Sequence, residues 1–95
     1  MHKEKEKEVG YFLYFIRSLK NGKVYVGKTN RNPKERLKEH NRGMNRFTSQ
    51  NRPFKLVYYE KYYCQKDLDE REMFYKSGMG RKIRDVILEV ASATG

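Results

Sequence analysis

The fold is decided by residues 11–29, YFLYFIRSLKNGKVYVGKT. Two segments rich in aromatic and β-branched residues flank Asn21-Gly22, a pair that accepts the positive φ angles of a tight turn. This pattern predicts an antiparallel hairpin. A loop of two or four residues at 19–22 puts Tyr14 and Tyr25 on one face, because opposed residues share a face. A three- or five-residue loop would separate them.

The two faces of the predicted hairpin differ in character. The wholly apolar set predicts the core face and consists of Leu13, Phe15, Val24 and Val26. The other face is mixed and includes the phenols of Tyr14 and Tyr25. These two rings either pack, as strand aromatics usually do, or belong to a functional site.

The composition favours a polyanionic partner. Twenty-two Lys and Arg stand against 12 Asp and Glu in 95 residues, which gives a net charge of +10. Nucleic acid is the first expectation and an anionic membrane surface the second. No apolar stretch could span a bilayer, and the single cysteine, Cys64, excludes an internal disulfide. We therefore expect one small, soluble, intracellular (cytoplasmic) domain that binds no membrane.

Charge runs, capping residues and prolines along the chain predict where the next elements begin and end. Residues 1–9 alternate in charge and predict a flexible leader. Asn32 before Pro33 predicts a helix start, and the helix should run to about residue 41 with Arg36 and His40 one turn apart. A basic, polar loop should follow and end at Pro53.

The second half predicts one strand and two helices. The strand should cover residues 54–63 and the second helix residues 65–76, with Gly78 marking its end. A third helix, 81–90, should cover the sheet with Ile83, Val86, Ile87 and Val90. Residues 91–95 should fray. The prediction is an α+β domain over residues 10–90, with a three-stranded antiparallel sheet flanked by helices in the order β-β-α-β-α-α.

A carboxylate interrupts the apolar stripe of the second helix. Leu68, Glu72, Tyr75 and Met79 follow helical spacing, so Glu72 should turn inward. An inward carboxylate needs either a Lys or Arg partner or a metal ion, and the sequence supports both equally. With the two phenols, Arg36 and His40, it would form a plausible set for phosphodiester hydrolysis.

These motifs, in this order, resemble the GIY-YIG endonuclease domain family, as a small stand-alone member. The first motif matches Phe12-Leu13-Tyr14 and the second Tyr25-Val26-Gly27. The Arg36 helix follows, and residues 71–81 resemble the metal-binding glutamate helix. The similarity extends from Gly10 to about Leu88. Phe12 stands where the family name has Gly, and no asparagine follows Asn51, although the family often has one after that helix.

The resemblance implies a divalent-metal-dependent endonuclease that hydrolyses DNA, for instance structure-selectively in DNA repair, recombination or mobile-element processing. Tyr14 and Tyr25 would lie near the scissile phosphate, and one would activate water. Arg36 would bind the phosphate, and His40 would transfer a proton or position the phosphate. Glu72 would coordinate Mg²⁺ or Mn²⁺, with Glu70 as the second candidate.

The resemblance also implies a DNA-binding surface. Lys28 would stabilise charge, and further backbone contacts would come from Arg31, Lys34, Arg42, Arg46, Arg52 and Lys55, each of which could instead be a solvated surface charge. A protein partner or targeting subunit would fit so small a domain. The alternative function is a nucleic-acid-binding module that keeps this scaffold without cleaving.

Overall fold

The predicted hairpin is formed by strands β1 (Tyr11–Ser18) and β2 (Val24–Thr29) in the computed structural model, which describes residues 10–94. The predicted leader, residues 1–9, lies outside the described residues. Arg17 pairs with Val24, and the Ser18 N–H donates to the Lys23 carbonyl at 2.8 Å, so the loop has four residues. Gly22 takes a φ of 77°. Tyr14 and Tyr25 therefore share a face, as predicted.

The remaining elements follow in the predicted order. Helix α1 covers Pro33–Asn41, strand β3 Phe54–Tyr62, helix α2 Gln65–Lys76 and helix α3 Gly78–Thr94, with a short 3-10 turn at Ser49–Asn51. The sheet order is β2-β1-β3, antiparallel throughout. The Asn32 side chain accepts a hydrogen bond from the Lys34 N–H at 2.9 Å and caps α1. The predicted α+β architecture is confirmed.

Helices cover both faces of the sheet, and the central strand β1 is therefore buried on both sides. On one face, Leu13 and Phe15 pack against Leu68, Tyr75 and Leu88 of the α2–α3 pair. On the other face, a smaller cluster consists of Tyr14, Ile16 and Phe54, with Tyr25, Leu37 and Leu56 packed against it. We call these the α2 face and the α1 face.

The junction between α2 and α3 confirms the predicted bounds of α2 and corrects the predicted start of α3. Gly78 does not end α2; it begins α3, and Ser77 separates the two helices with an extended ψ of 167°. The Ser77 hydroxyl accepts a hydrogen bond from the Gly80 N–H at 3.1 Å, which caps the new helix. Because the chain turns here, the stripe of α2 does not continue to Met79, which is exposed rather than inward.

Helix α3 meets the core with a different side from the one predicted. Leu88 is buried and Ile87 packs beside it, whereas Ile83, Val86 and Val90 are exposed. The helix is also longer than predicted and continues through Thr94, so most of the tail predicted to fray is helical. The domain limits of 10 and 90 stay a prediction. Nowhere within residues 10–94 is a helix long and apolar enough to cross a membrane.

Candidate functional site

A cavity of about 290 Å³ lies on the α1 face of the hairpin. It brings together three of the predicted site residues, Tyr14, Tyr25 and His40. Its lining consists of Tyr14, Tyr25, Val26, Gly27, His40, Asn45, Phe47 and Thr48. The strands supply the two phenols, α1 supplies the imidazole, and the loop after α1 closes one side.

A chain of buried hydrogen bonds runs through this cavity. The Tyr14 Oη and His40 Nε2 atoms are 2.9 Å apart, and His40 Nδ1 lies 2.7 Å from Thr48 Oγ1. The Thr48 hydroxyl donates to the Asn45 carbonyl at 3.4 Å, so its oxygen can accept from Nδ1–H. Nε2 is then the acceptor for the Tyr14 hydroxyl. We assign the protons in this way.

The ionisation of both groups agrees with that assignment. Burial raises the pKa of the Tyr14 phenol, and the charge and hydrogen bond of Arg36 oppose the shift. Burial, and then the Arg36 charge, lower the pKa of His40. At neutral pH the phenol is therefore protonated and the imidazole is neutral, as a donor and an acceptor must be.

The position of Gly27 opposite Tyr14 explains why the second motif contains a glycine. Gly27 lies directly opposite Tyr14 on the neighbouring strand. A Cβ atom at this position would collide with the Tyr14 hydroxyl and the ring carbon that bears it. The phenol thus lies over the glycine, and a larger residue would displace it from His40.

Tyr25 has a different set of partners from Tyr14. Its hydroxyl accepts a hydrogen bond from the Asn51 side-chain amide at 2.8 Å and donates to the Phe47 carbonyl at 3.4 Å. Its ring packs edge-on against Phe54. The Tyr25 phenol is held by an amide and a carbonyl, neither of which can take up a proton.

Arg36 lies beside the cavity in a network that the sequence did not predict. Glu39 accepts from Arg36 at 2.8 Å and from Arg31 at 2.6 and 2.9 Å. These two cations, Arg31 foremost, lower the pKa of Glu39 to about 2. Glu39 thus holds two predicted phosphate-binding arginines on the same side of α1.

Glu72 does not line the cavity, because α2 packs on the opposite face of the sheet. Its carboxylate contacts Lys28 of β2 at 3.0 Å and Lys76 at 3.3 Å, and Lys28 also contacts Asp69 at 2.9 Å. Glu72 therefore has a lysine partner, which is one of the two alternatives that the sequence left open. Glu70, the second candidate, is exposed and lines a different surface depression, with Asp67.

The carboxylates on α2 match a magnesium ion in their number, although they do not form a preformed cluster. Within residues 10–94, no three His, Cys, Asp or Glu side chains cluster into a preformed metal site. Mg²⁺, however, is commonly held by one or two carboxylates together with water and substrate phosphate. Glu72 and Asp69, one turn apart beside the same ammonium group, could supply that number.

The remaining predicted DNA contacts lie on the surface. Arg42, Arg46 and Arg52 are exposed along the segment that closes the cavity, and Phe47 next to Arg46 is 82% exposed. Lys34 and Lys55 are exposed as well. Lys28 is close to its two carboxylates rather than to the tyrosines.

A comparison with protein families agrees with these motifs and this fold. The model described as the GIY-YIG catalytic domain matches residues 10–84 of the 95-residue chain. The chain belongs to the GIY-YIG family. Searches of curated proteins and of solved structures each returned no match. The GIY-YIG family consists generally of endonucleases, so the family carries nuclease function and nucleic-acid binding.

Three residues that were not predicted from the sequence contact the candidate site. Thr48, Asn51 and Glu39 each contact a predicted site residue, and none of them was predicted to do so. Thr48 and Asn51 lie in the irregular loop, where no periodicity relates them to the strands. Phe12, which replaces the glycine of the family name, is buried and packs edge-on against Tyr59.

Proposed function

We propose that this GIY-YIG chain is a divalent-metal-dependent endonuclease that hydrolyses phosphodiester bonds in DNA. The observation that carries the proposal is the Tyr14–His40 hydrogen bond of 2.9 Å inside a cavity. It joins a protonated phenol to a neutral base beside an arginine. Imidazole and phenol groups are both among the side chains that act as general acids and bases.

In this proposal Tyr14 activates the attacking water. The water proton moves to Tyr14 Oη while the phenolic proton moves to His40 Nε2, so no free phenolate forms. This concerted transfer suits a phenol whose pKa is raised by burial. Tyr25 lacks a comparable base and would position the phosphate, because its hydroxyl is held by Asn51 and the Phe47 carbonyl.

The substrate backbone would cross the edge strand β2. This strand has the tyrosine cavity on its α1 face, and a smaller cavity of about 160 Å³ is lined by Lys28 and Thr29 near its end. Arg36 would neutralise the phosphate from the α1 face. Glu72 would hold the Mg²⁺ or Mn²⁺ ion, whose charge stabilises the departing oxygen when it is bound.

Phe47 would contribute to substrate binding at the rim of the cavity. A ring that is 82% exposed gains little from the protein's own packing. Stacking on a nucleobase is a sequence-tolerant contact, worth about 1–3 kcal/mol per base. Together with Arg42, Arg46 and Arg52, it would favour DNA with an accessible base near the cut, such as a flap or branch.

Cleavage assays with a matched pair of carboxylate variants test the proposal. Plasmid, flap and branched DNA are incubated with the full chain in Mg²⁺, in Mn²⁺ and in chelator. We expect metal-dependent cleavage that Glu72→Gln abolishes and Glu70→Gln retains. Arg36→Ala should also lose cleavage, whereas Arg81→Ala should not. Retention of cleavage by Glu72→Gln would overturn the metal assignment.

The same assay distinguishes the alternative, a nucleic-acid-binding module without cleavage. Binding of each substrate is measured by fluorescence anisotropy in chelator. Binding of all three without cleavage in either metal would favour the module. In both cases binding should weaken steeply with salt, with a slope of about −0.9 per neutralised phosphate.

A further inference from the structure

Helix α3 carries an apolar stripe on the side that faces away from the core. Met79, Ile83, Val86 and Val90 are 71%, 41%, 56% and 57% exposed. They are separated by four, three and four residues. This is the spacing of the a and d positions of a coiled-coil seam.

The helix already uses its other side for the core of this chain. Leu88 is 7% exposed within the main core cluster, and it lies about 200° around the helix from Val86. Among the described residues, 10–94, the packing of α3 on its own domain therefore leaves these four side chains partly exposed to solvent. Contiguous exposed apolar surface of this kind marks an interaction site.

The charges beside the stripe indicate what covers it. Lys82 immediately precedes Ile83, and Glu89 immediately precedes Val90, so the two flank the same side of the seam. Within residues 10–94, neither has an ion-pair partner, and both are exposed. A basic position near the start and an acidic one near the end make the helix complementary to itself when it is reversed.

We propose that two copies of this chain pair through α3, antiparallel, about a two-fold axis. Ile83 of each copy packs against Val86 of the other, and Met79 packs against Val90. Lys82 of each copy then lies beside Glu89 of the other, and the two-fold axis places both pairs on the same flank of the seam. In a parallel pair Lys82 would instead lie beside Ile87 of the second copy and would gain no ion pair, and a partner of another kind would not need this symmetry. The pairing does not depend on nuclease activity.

Sedimentation velocity over a concentration series tests the pairing on the full chain. We expect the wild type to form a dimer reversibly and Val86→Glu to stay monomeric. Asp85→Lys, a charge change outside the stripe, is the matched control and should dimerise. Circular dichroism verifies that each variant folds, as an exposed position allows. A wild type that remains monomeric at every concentration would overturn the proposal, as would a Val86→Glu variant that dimerises normally.

Charge reversal tests the orientation. Lys82→Glu and Glu89→Lys should each raise the dissociation constant roughly tenfold at low salt, because each turns two attractive pairs into repulsive ones. The double variant should return to near the wild-type value. If the double variant is as weak as either single one, the antiparallel arrangement is wrong.

Discussion

The two faces of the sheet use the same groups, tyrosine hydroxyls, in opposite ways. On the α2 face, the Glu60 carboxylate accepts from Tyr58 at 2.6 Å, from Tyr62 at 2.6 Å and from Tyr75. Arg71 donates to both of its oxygens, at 2.9 and 3.2 Å. On the α1 face, Tyr14 meets a neutral imidazole beside a cavity.

The two networks differ in whether they can still take up a proton or contact a substrate. Glu60 lies among five donor groups, and despite the cost of its burial they hold its pKa at about 2. The hydrogen bonds that this carboxylate accepts serve to join β3 to α2. The Tyr14–His40 pair carries no charge and has room beside it. The number of tyrosines on a face therefore does not indicate their role. The charge of the group that pairs with a phenol, and the space for a substrate beside it, indicate whether the phenol serves stability or chemistry.

The largest effect should come from Tyr14→Phe. This change removes the hydroxyl but keeps the ring over Gly27, so cleavage should fall by about 10³-fold, as expected for loss of general acid–base catalysis. Thermal unfolding should change little by comparison. Single-turnover cleavage measures the rate, and Tyr58→Phe on the other face is the matched control, with near-normal cleavage. A Tyr14→Phe variant within tenfold of wild type would contradict the assignment.

Glu60→Gln should have the converse effect, on stability rather than on cleavage. Arg71 would lose the carboxylate that pairs with its partly buried guanidinium. This loss should lower the free energy of unfolding by about 3 kcal/mol. Cleavage per folded molecule should stay near wild type below the melting transition. Urea unfolding gives the free energy, and Glu35→Gln, which breaks an exposed pair with Lys38, should cost under about 1 kcal/mol.

The same variant has a signature in pH. The folded pKa of Glu60, about 2, lies below its ordinary value of 4.5, so its stabilisation is present above pH 4.5 and is lost as the pH falls towards 2. Wild type should lose stability steeply over this window. Glu60→Gln should lose less over the same window, and equal acid sensitivity would contradict the role of Glu60.

The sequence predicts the frame of both networks because short-range rules decide it. The parity of the loop at Asn21-Gly22 determines the faces, and the Asn32 cap places Arg36 and His40. The contacts of Glu60 with α2 could not be predicted, because Arg71 and Tyr75 lie 11 and 15 residues away on another element. The contact of Thr48 could not be predicted either, because His40 lies 8 residues away across irregular chain. The end of α2 at Lys76 is predicted, but the start of α3 at Gly78 is not, because only the Ser77 cap reveals that the next helix begins at once.

A smaller effect is expected for Thr48→Val, which removes the acceptor for His40 Nδ1–H. The imidazole would then populate both tautomers, and cleavage should fall about tenfold, whereas Thr48→Ser should retain it. Nitrogen chemical shifts of His40 report the tautomer independently of cleavage. The wild-type rate should fall only below pH 6.5, since the pKa of His40 is lowered from that value. An unchanged tautomer in Thr48→Val would contradict the positioning role.

The smallest effect should come from Lys28→Met, at the sheet edge between the two faces. The Lys28 ammonium contacts Glu72 and Asp69, and these two carboxylates raise its pKa. Without it, both would be available to a cation, so Mn²⁺ should bind about fivefold more tightly, as expected from removing one nearby charge at a partly exposed site. Electron paramagnetic resonance measures the bound ion without DNA. Lys76→Met should have a weaker effect, because Lys76 is 64% exposed and, in the part of the chain that the structure describes, pairs with Glu72 but not with Asp69. Unchanged Mn²⁺ binding in Lys28→Met would contradict a metal site at these two carboxylates.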